Sequence, residues 1–232
     1  RNAPADFQAV PPTEGYEFWL KKRIFVVRPL TCGARRTMKE SWKPGTMIYP
    51  LPAVLVGCGD DPENWNLLTV AWTGTVCTAP AMCYISVRPE RLSHALIART
   101  GEFTINLTTV AMARAVDWCG VRSGRDYDKF RETGLTPQRA AVVAAPALEE
   151  SPVVIECRVR QVLPLGSHDM FLADVLVDDR YIDPATGRFD LERAGLIAYS
   201  HGEYFRLGEL IGHFGWSVRR RKTIVRERKG RR

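Results

Sequence analysis

Apolar residues along this chain recur mainly in short, strand-length runs rather than in long helical stripes. Residues 53–58, 67–76 and 82–87 are rich in β-branched and aromatic side chains and are separated by Gly, Pro, Asp and Asn. Each predicts a strand. Residues 91–100 instead place Leu92, Ala95, Leu96 and Arg99 at helical spacing, 102–107 return to alternation, and 110–118 are alanine-rich and predict a second helix. Residues 153–162 and 170–177 are long β-like runs, joined by 163–167 in a hairpin-like connection too long for a two-residue turn. Many strands, few helices and no β-α-β alternation predict an antiparallel barrel rather than a doubly wound sheet.

The length of 232 residues allows one large domain or two small ones, and 45% hydrophobic content supports a sizeable core. No apolar run approaches the roughly 20 residues of a membrane-spanning helix, so a soluble protein is expected. The net charge of +7 changes meaning once it is located. Residues 219–232 hold nine Lys and Arg against Glu227, residues 1–37 hold seven against three acids, and the body between them is net −5. The basic ends are therefore read as solvated, and no nucleic-acid or lipid partner is assigned to them.

Residues 1–37, with Pro4, Pro11 and Pro12 and little apolar patterning, read as an extension that is disordered or non-native. Met38 reads as the biological start, 38–217 as the functional domain and 218–232 as a basic tail. The six cysteines include no C-x-x-C pair, and with four histidines they form no zinc spacing. Cys77, Cys83 and Cys157 fall inside strand-like runs, where a thiol is a small hydrophobe, which fits a reducing, cytoplasmic setting. No signal-peptide pattern opens the chain.

There is no G-x-G-x-x-G and no Walker loop, so a nucleotide-like cofactor would be held differently. The most informative stretch is Asn66-Leu67-Leu68-Thr69-Val70-Ala71-Trp72-Thr73-Gly74-Thr75, followed by Ser86-Val87-Arg88-Pro89-Glu90-Arg91-Leu92-Ser93-His94. Further blocks are Phe103-Thr104-Ile105-Asn106-Leu107, 117–124, Asp128-Lys129-Phe130, 133–137, Gly166-Ser167-His168 and 208–215. In their order and spacing these resemble the flavin reductase-like FMN-binding family, flavoredoxin especially, over about residues 38–217.

That resemblance implies a mainly β fold: a six-stranded antiparallel Greek-key split β-barrel with flanking short helices, in a homodimer holding FMN near the subunit interface. FAD remains possible. FMN joins a flat redox-active ring to a polar chain and a dianionic phosphate, so its site needs an apolar wall, short polar donors and cations. By resemblance, Asn66, Thr69, Ala71, Trp72 and Thr73 lie along the ring and ribityl chain. Ser86, Arg88, Arg91 and Ser93 hold the phosphate, the last near a helix N-terminus. Lys129 resembles a lysine beside the flavin N1/O2 edge, and His168 a histidine near the flavin or nicotinamide, binding rather than catalytic. No general acid or base is assigned.

Taken singly, each residue has a plainer reading. Trp72 is equally a core aromatic, Asn66 a turn residue and Ser93 a helix cap. Arg88 and Arg91 are surface charges, Lys129 with Asp128 a surface ion pair, and His168 a loop residue. The family's Pro-Pro after the second strand is here Ala79-Pro80-Ala81. The implied activity is hydride transfer from NADH or NADPH to flavin, with electrons passed on to free flavin, a metal complex or a redox protein. A flavoredoxin-type electron carrier without NAD(P)H oxidation is the alternative. Two more distant readings are a split-barrel oxidoreductase acting on pyridoxamine phosphate and a nucleic-acid binder using the basic ends.

Overall fold

The computed structural model describes residues 39–180, 182, 184–212, 214 and 217. The Met38 start, the 1–37 extension and the 218–232 tail lie outside the described residues. In chain order the elements are β1 (Leu51–Pro52), β2 (Val54–Cys58), β3 (Asn66–Val70), β4 (Thr73–Thr78), β5 (Ala81–Val87) and α1 (Leu92–Thr100). There follow β6 (Glu102–Leu107), a 3-10 turn (Val110–Met112), α2 (Ala113–Val121), α3 (Lys129–Thr133), β7 (Pro137–Arg139) and β8 (Pro146–Leu148). The chain continues through β9 (Val153–Pro164), β10 (Asp169–Arg180), α4 (Leu191–Ala194), β11 (Ile197–Ser200) and β12 (Glu203–Arg206). Among the described residues no helix is long and apolar enough to cross a membrane.

The main sheet runs β3-β2-β6-β9-β10-β5-β4, every neighbouring pair antiparallel. Its two edge strands are consecutive in sequence, joined only by Ala71 and Trp72. Trp72 O accepts from Ser86 N at 2.9 Å, and β3 touches β5, so the sheet closes on itself. The single strand expected over 67–76 is thus two. To cross from one edge of the sheet to the other, Ala71 and Trp72 leave the ladders. Counting β3 and β4 as one bent strand gives the six expected of the barrel.

Period two sorts the side chains. Val54, Val56, Leu68, Val70, Cys83, Ile85, Val87, Phe103, Ile105, Cys157, Phe171 and Ala173 fill the interior. Alternate residues Ala53, Leu55 and Leu67 point outward and are covered by Met112, Val116 and Cys119 of the α2 region, with Leu135, Leu148 and Ile197. β2 is buried on both faces, which is why its sequence is a continuous apolar run. Inside the barrel the Cys83 and Cys157 sulfurs lie 3.5 Å apart as free thiols. Their strands are separated by β10, a spacing of roughly two 4.8 Å sheet steps, wider than the Cα separation a disulfide spans.

The buried side chain of Asn106 is fully paired. Asn106 donates to Leu55 O and Thr104 Oγ1, both at 3.0 Å, and accepts from Leu148 N at 2.9 Å. A smaller sheet, β1-β11-β12, packs beside the barrel. Its β11–β12 turn has His201 at φ 51° and Gly202 at φ 86°, the left-handed pair of a two-residue hairpin.

Candidate functional site

The bend at Ala71–Trp72 and the end of β5 open a cavity of about 370 Å³. Thr69, Ala71, Trp72, Ser86, Arg88 and His168 line it, together with Asp117, Tyr199 and Tyr204. A second cavity, about 190 Å³, lies beside the start of α1 and is lined by Asn66, Arg91, Ser93, Arg122, Gly124, Arg125 and Lys129. Leu68 and Arg91 line both, so the cavities adjoin.

In the larger cavity the Trp72 and His168 rings lie 4.4 Å apart, centroid to centroid. His168 closes the four-residue turn between β9 and β10, where its carbonyl accepts from Leu165 N at 2.9 Å. Partial burial, and next the Arg88 cation, push the imidazole below its ordinary value, favouring the neutral ring at pH 7. In the same cavity Tyr204 O–H donates to Asp117 Oδ1 at 3.4 Å, and burial followed by the Asp117 charge pushes the phenol up to about 12. Arg88 pairs with Glu90 at 3.5 Å.

The smaller cavity has a buried polar floor. Asn66, 5% exposed, donates through Nδ2 to Ser93 Oγ at 2.8 Å. Ser93 is the second residue of α1, not its cap; Arg91 occupies the cap position and makes no side-chain cap bond. Lys129, 3% exposed, donates to Cys119 O at 2.7 Å, and burial lowers its pKa. Asp128 is not its ion-pair partner: that carboxylate caps α3 by accepting from Phe130 N and Arg131 N at 3.1 and 3.2 Å. Arg91, Arg122, Arg125 and Lys129 face a single acid, Glu90, around this chamber.

The structure therefore divides the residues singled out by sequence. Trp72, Ala71, Thr69 and His168 gather in the larger cavity, and Asn66 and Lys129 in the smaller. The four phosphate candidates separate, with Ser86 and Arg88 in the larger, Ser93 in the smaller and Arg91 reaching both. Thr69 lines the larger cavity with its hydroxyl committed to Val116 O at 2.5 Å. Thr73 lines neither cavity. Its Oγ1 donates to Tyr84 O at 2.6 Å and serves the β4–β5 pairing. Asp117, Arg122, Arg125, Tyr199 and Tyr204 were not singled out. The first three sit in or next to the 117–124 block, whose pattern was the available signal, whereas the tyrosines arrive on a distant hairpin.

The model for the flavin reductase like domain matches residues 46–206 of this sequence, the stretch that carries both cavities. The chain belongs to the flavin reductase like family. Among solved structures, this flavin reductase-like chain is similar to the flavoredoxin of Desulfovibrio vulgaris (Miyazaki F), with 27% identity and a TM-score of 0.71 over 78% of this chain and 100% of that one. An FMN-binding protein from Thermus thermophilus, solved with bound 1-cyclohex-2-enone, shares the fold at 24% identity and a TM-score of 0.63, over 78% and 99% of the two chains. An uncharacterized protein of Archaeoglobus fulgidus is 28% identical over 129 residues, 56% of this chain and 72% of the relative.

Proposed function

We propose that the two adjoining cavities bind FMN and that the protein is an NAD(P)H-dependent flavin oxidoreductase. The observation that carries this reading is the junction of an aromatic-walled chamber with a cationic one. The larger chamber offers the flat ring a wall of Trp72 and His168, with Thr69 to Ala71 and the tyrosines Tyr199 and Tyr204 also lining it. The smaller offers a phosphate four cations, the Ser93 hydroxyl and the first turn of α1. Lys129 supports the fit, because among the described residues a buried ammonium with three donors has Cys119 O as its one hydrogen-bond acceptor. Bound FMN would supply two-electron redox chemistry, while this chain orients the ring, excludes water from it and keeps a neutral imidazole at its edge.

The likeness to flavoredoxin favours a second reading, an electron carrier with little NAD(P)H oxidation of its own. Adding FMN or FAD, desalting and recording the absorption spectrum tests flavin retention; a colourless, flavin-free protein would end both readings. Anaerobic mixing of the flavin-loaded protein with NADH and with NADPH separates them, since bleaching of the flavin band favours the oxidoreductase. A cytoplasmic homodimer completes the proposal. Exposed Trp42 and Ile48 before β1, and Leu210 and Ile211 after β12, support a second copy, which sedimentation equilibrium would detect.

A further inference from the structure

Seven close contacts between a basic and an acidic side chain occur among the described residues, and in six of them at least one partner is well exposed. The seventh differs. His94 Nε2 and Asp169 Oδ2 lie 2.7 Å apart, with side chains 17% and 18% exposed. The imidazole also meets the buried Phe171 ring edge-on, 5.1 Å between centroids.

Its place in the chain gives the pair its meaning. His94 follows Ser93 in the first turn of α1, beside the cationic cavity. Asp169 follows His168 and opens β10, paired to Val87 of β5 on one side and Pro164 of β9 on the other. One bond therefore ties the helix start that carries Arg91 and Ser93 to the turn that carries His168. Each end is one residue from a residue lining one of the two chambers. A partly buried, charge-assisted bond resists both solvent screening and sliding better than the exposed pairs do.

We propose that His94 is a positioning residue: through Asp169 it fixes the separation of the two chambers, so that one ligand can engage both at once. This rests on the flavin reading above. A ligand that fills both chambers needs them in register, whereas a ligand filling one does not. Riboflavin, which lacks the phosphate, is the one-chamber probe and FMN the two-chamber probe.

The experiment measures dissociation constants of FMN and riboflavin for the full chain as wild type, His94→Ala, Asp169→Ala, the double variant and His94→Gln. The ratio of riboflavin to FMN constants should fall about fivefold in each alanine variant, within the range for coupled neighbours. It should fall no further in the double variant and recover in His94→Gln, which keeps a donor in reach. If one alanine variant fails to fold, the other carries the same reading, because each removes the whole bond. An unchanged ratio alongside lowered thermal stability would overturn the positioning role and leave the flavin reading intact. Wild-type protein that binds neither probe would overturn the flavin reading and this inference with it.

Discussion

The Trp72 and His168 rings meet at 4.4 Å with their planes tilted by 47°, joining the bend between β3 and β4 to the turn before β10. The imidazole is partly buried and the Arg88 cation is near it, and both effects disfavour its charged form. Below the ordinary value of 6.5 the unfolded chain binds this proton before the folded one does. The stabilising contribution of His168 is therefore complete above 6.5 and is lost as pH falls through the folded value. An NMR titration of the ring should give a midpoint below 6.5, and Arg88→Gln should move it upward. A midpoint indifferent to that substitution would take Arg88 out of the imidazole's field.

Lys129 is a second group whose surroundings disfavour its charge, and the cause is burial. Its folded pKa lies below 10.5, so its contribution to stability improves as pH rises toward that value. Lys129→Met should leave stability at pH 7 level or higher, since a buried ammonium is replaced by an apolar chain of similar length. FMN should bind more weakly by about 2 kcal/mol, the loss of a charge-assisted contact. Riboflavin should bind as before. Parallel titrations with the two flavins check this phosphate role, and equal losses for both would instead put Lys129 at the N1/O2 edge of the ring, where the sequence resemblance places it.

Much of this could be read along the chain, because strand pattern is local. Residues 82–87 and 102–107 became strands in place, and the helix read over 91–100 starts one residue later. The break inside 67–76 had no local mark. Thr69, Val70, Trp72 and Thr73 all favour strands, Ala71 disfavours them only weakly, and the interruption is imposed by barrel closure, a pairing between distant segments. Thr73 shows the same limit for the site: its hydroxyl suited a flavin contact, but register places Tyr84 O within its reach. Tyr199 enters the larger cavity because β11 pairs with β1, opposite Leu51. That approach is a product of topology rather than motif.

Gly124 gives the 117–124 block a steric reason. A Cβ there would lie 2.2 Å from Asn66 Oδ1 and 2.8 Å from its Cγ. Asn66 would have to turn away, and its amide would leave Ser93 Oγ. Gly124→Ala should therefore disturb the smaller cavity through Asn66, weakening FMN binding by about 1–2 kcal/mol. Calorimetric titration checks this, and adding Asn66→Ser should recover part of the loss by making room. If Gly124→Ala binds FMN normally, Asn66 has an alternative rotamer that costs the site nothing.

Glu156 offers a test of the framework rather than the site. Its side chain is fully buried, yet the carboxylate has three donors: Ala141 N at 2.7 Å on Oε1, and Val142 N and Val143 N at 2.7 and 3.0 Å on Oε2. These bonds pin the 140–146 segment to β9 and satisfy main-chain groups that no strand partner serves. Glutamine has the same shape but turns one acceptor into a donor, so an N–H on that side meets an NH₂ and the charge assistance disappears. Glu156→Gln should cost about 3 kcal/mol, one orphaned buried donor plus weakened bonds to the others. In urea unfolding the midpoint should fall with the slope unchanged, which marks lost stability rather than an altered unfolded state. A wild-type midpoint would mean that the segment finds other acceptors, and the carboxylate would then be a passenger in the barrel wall.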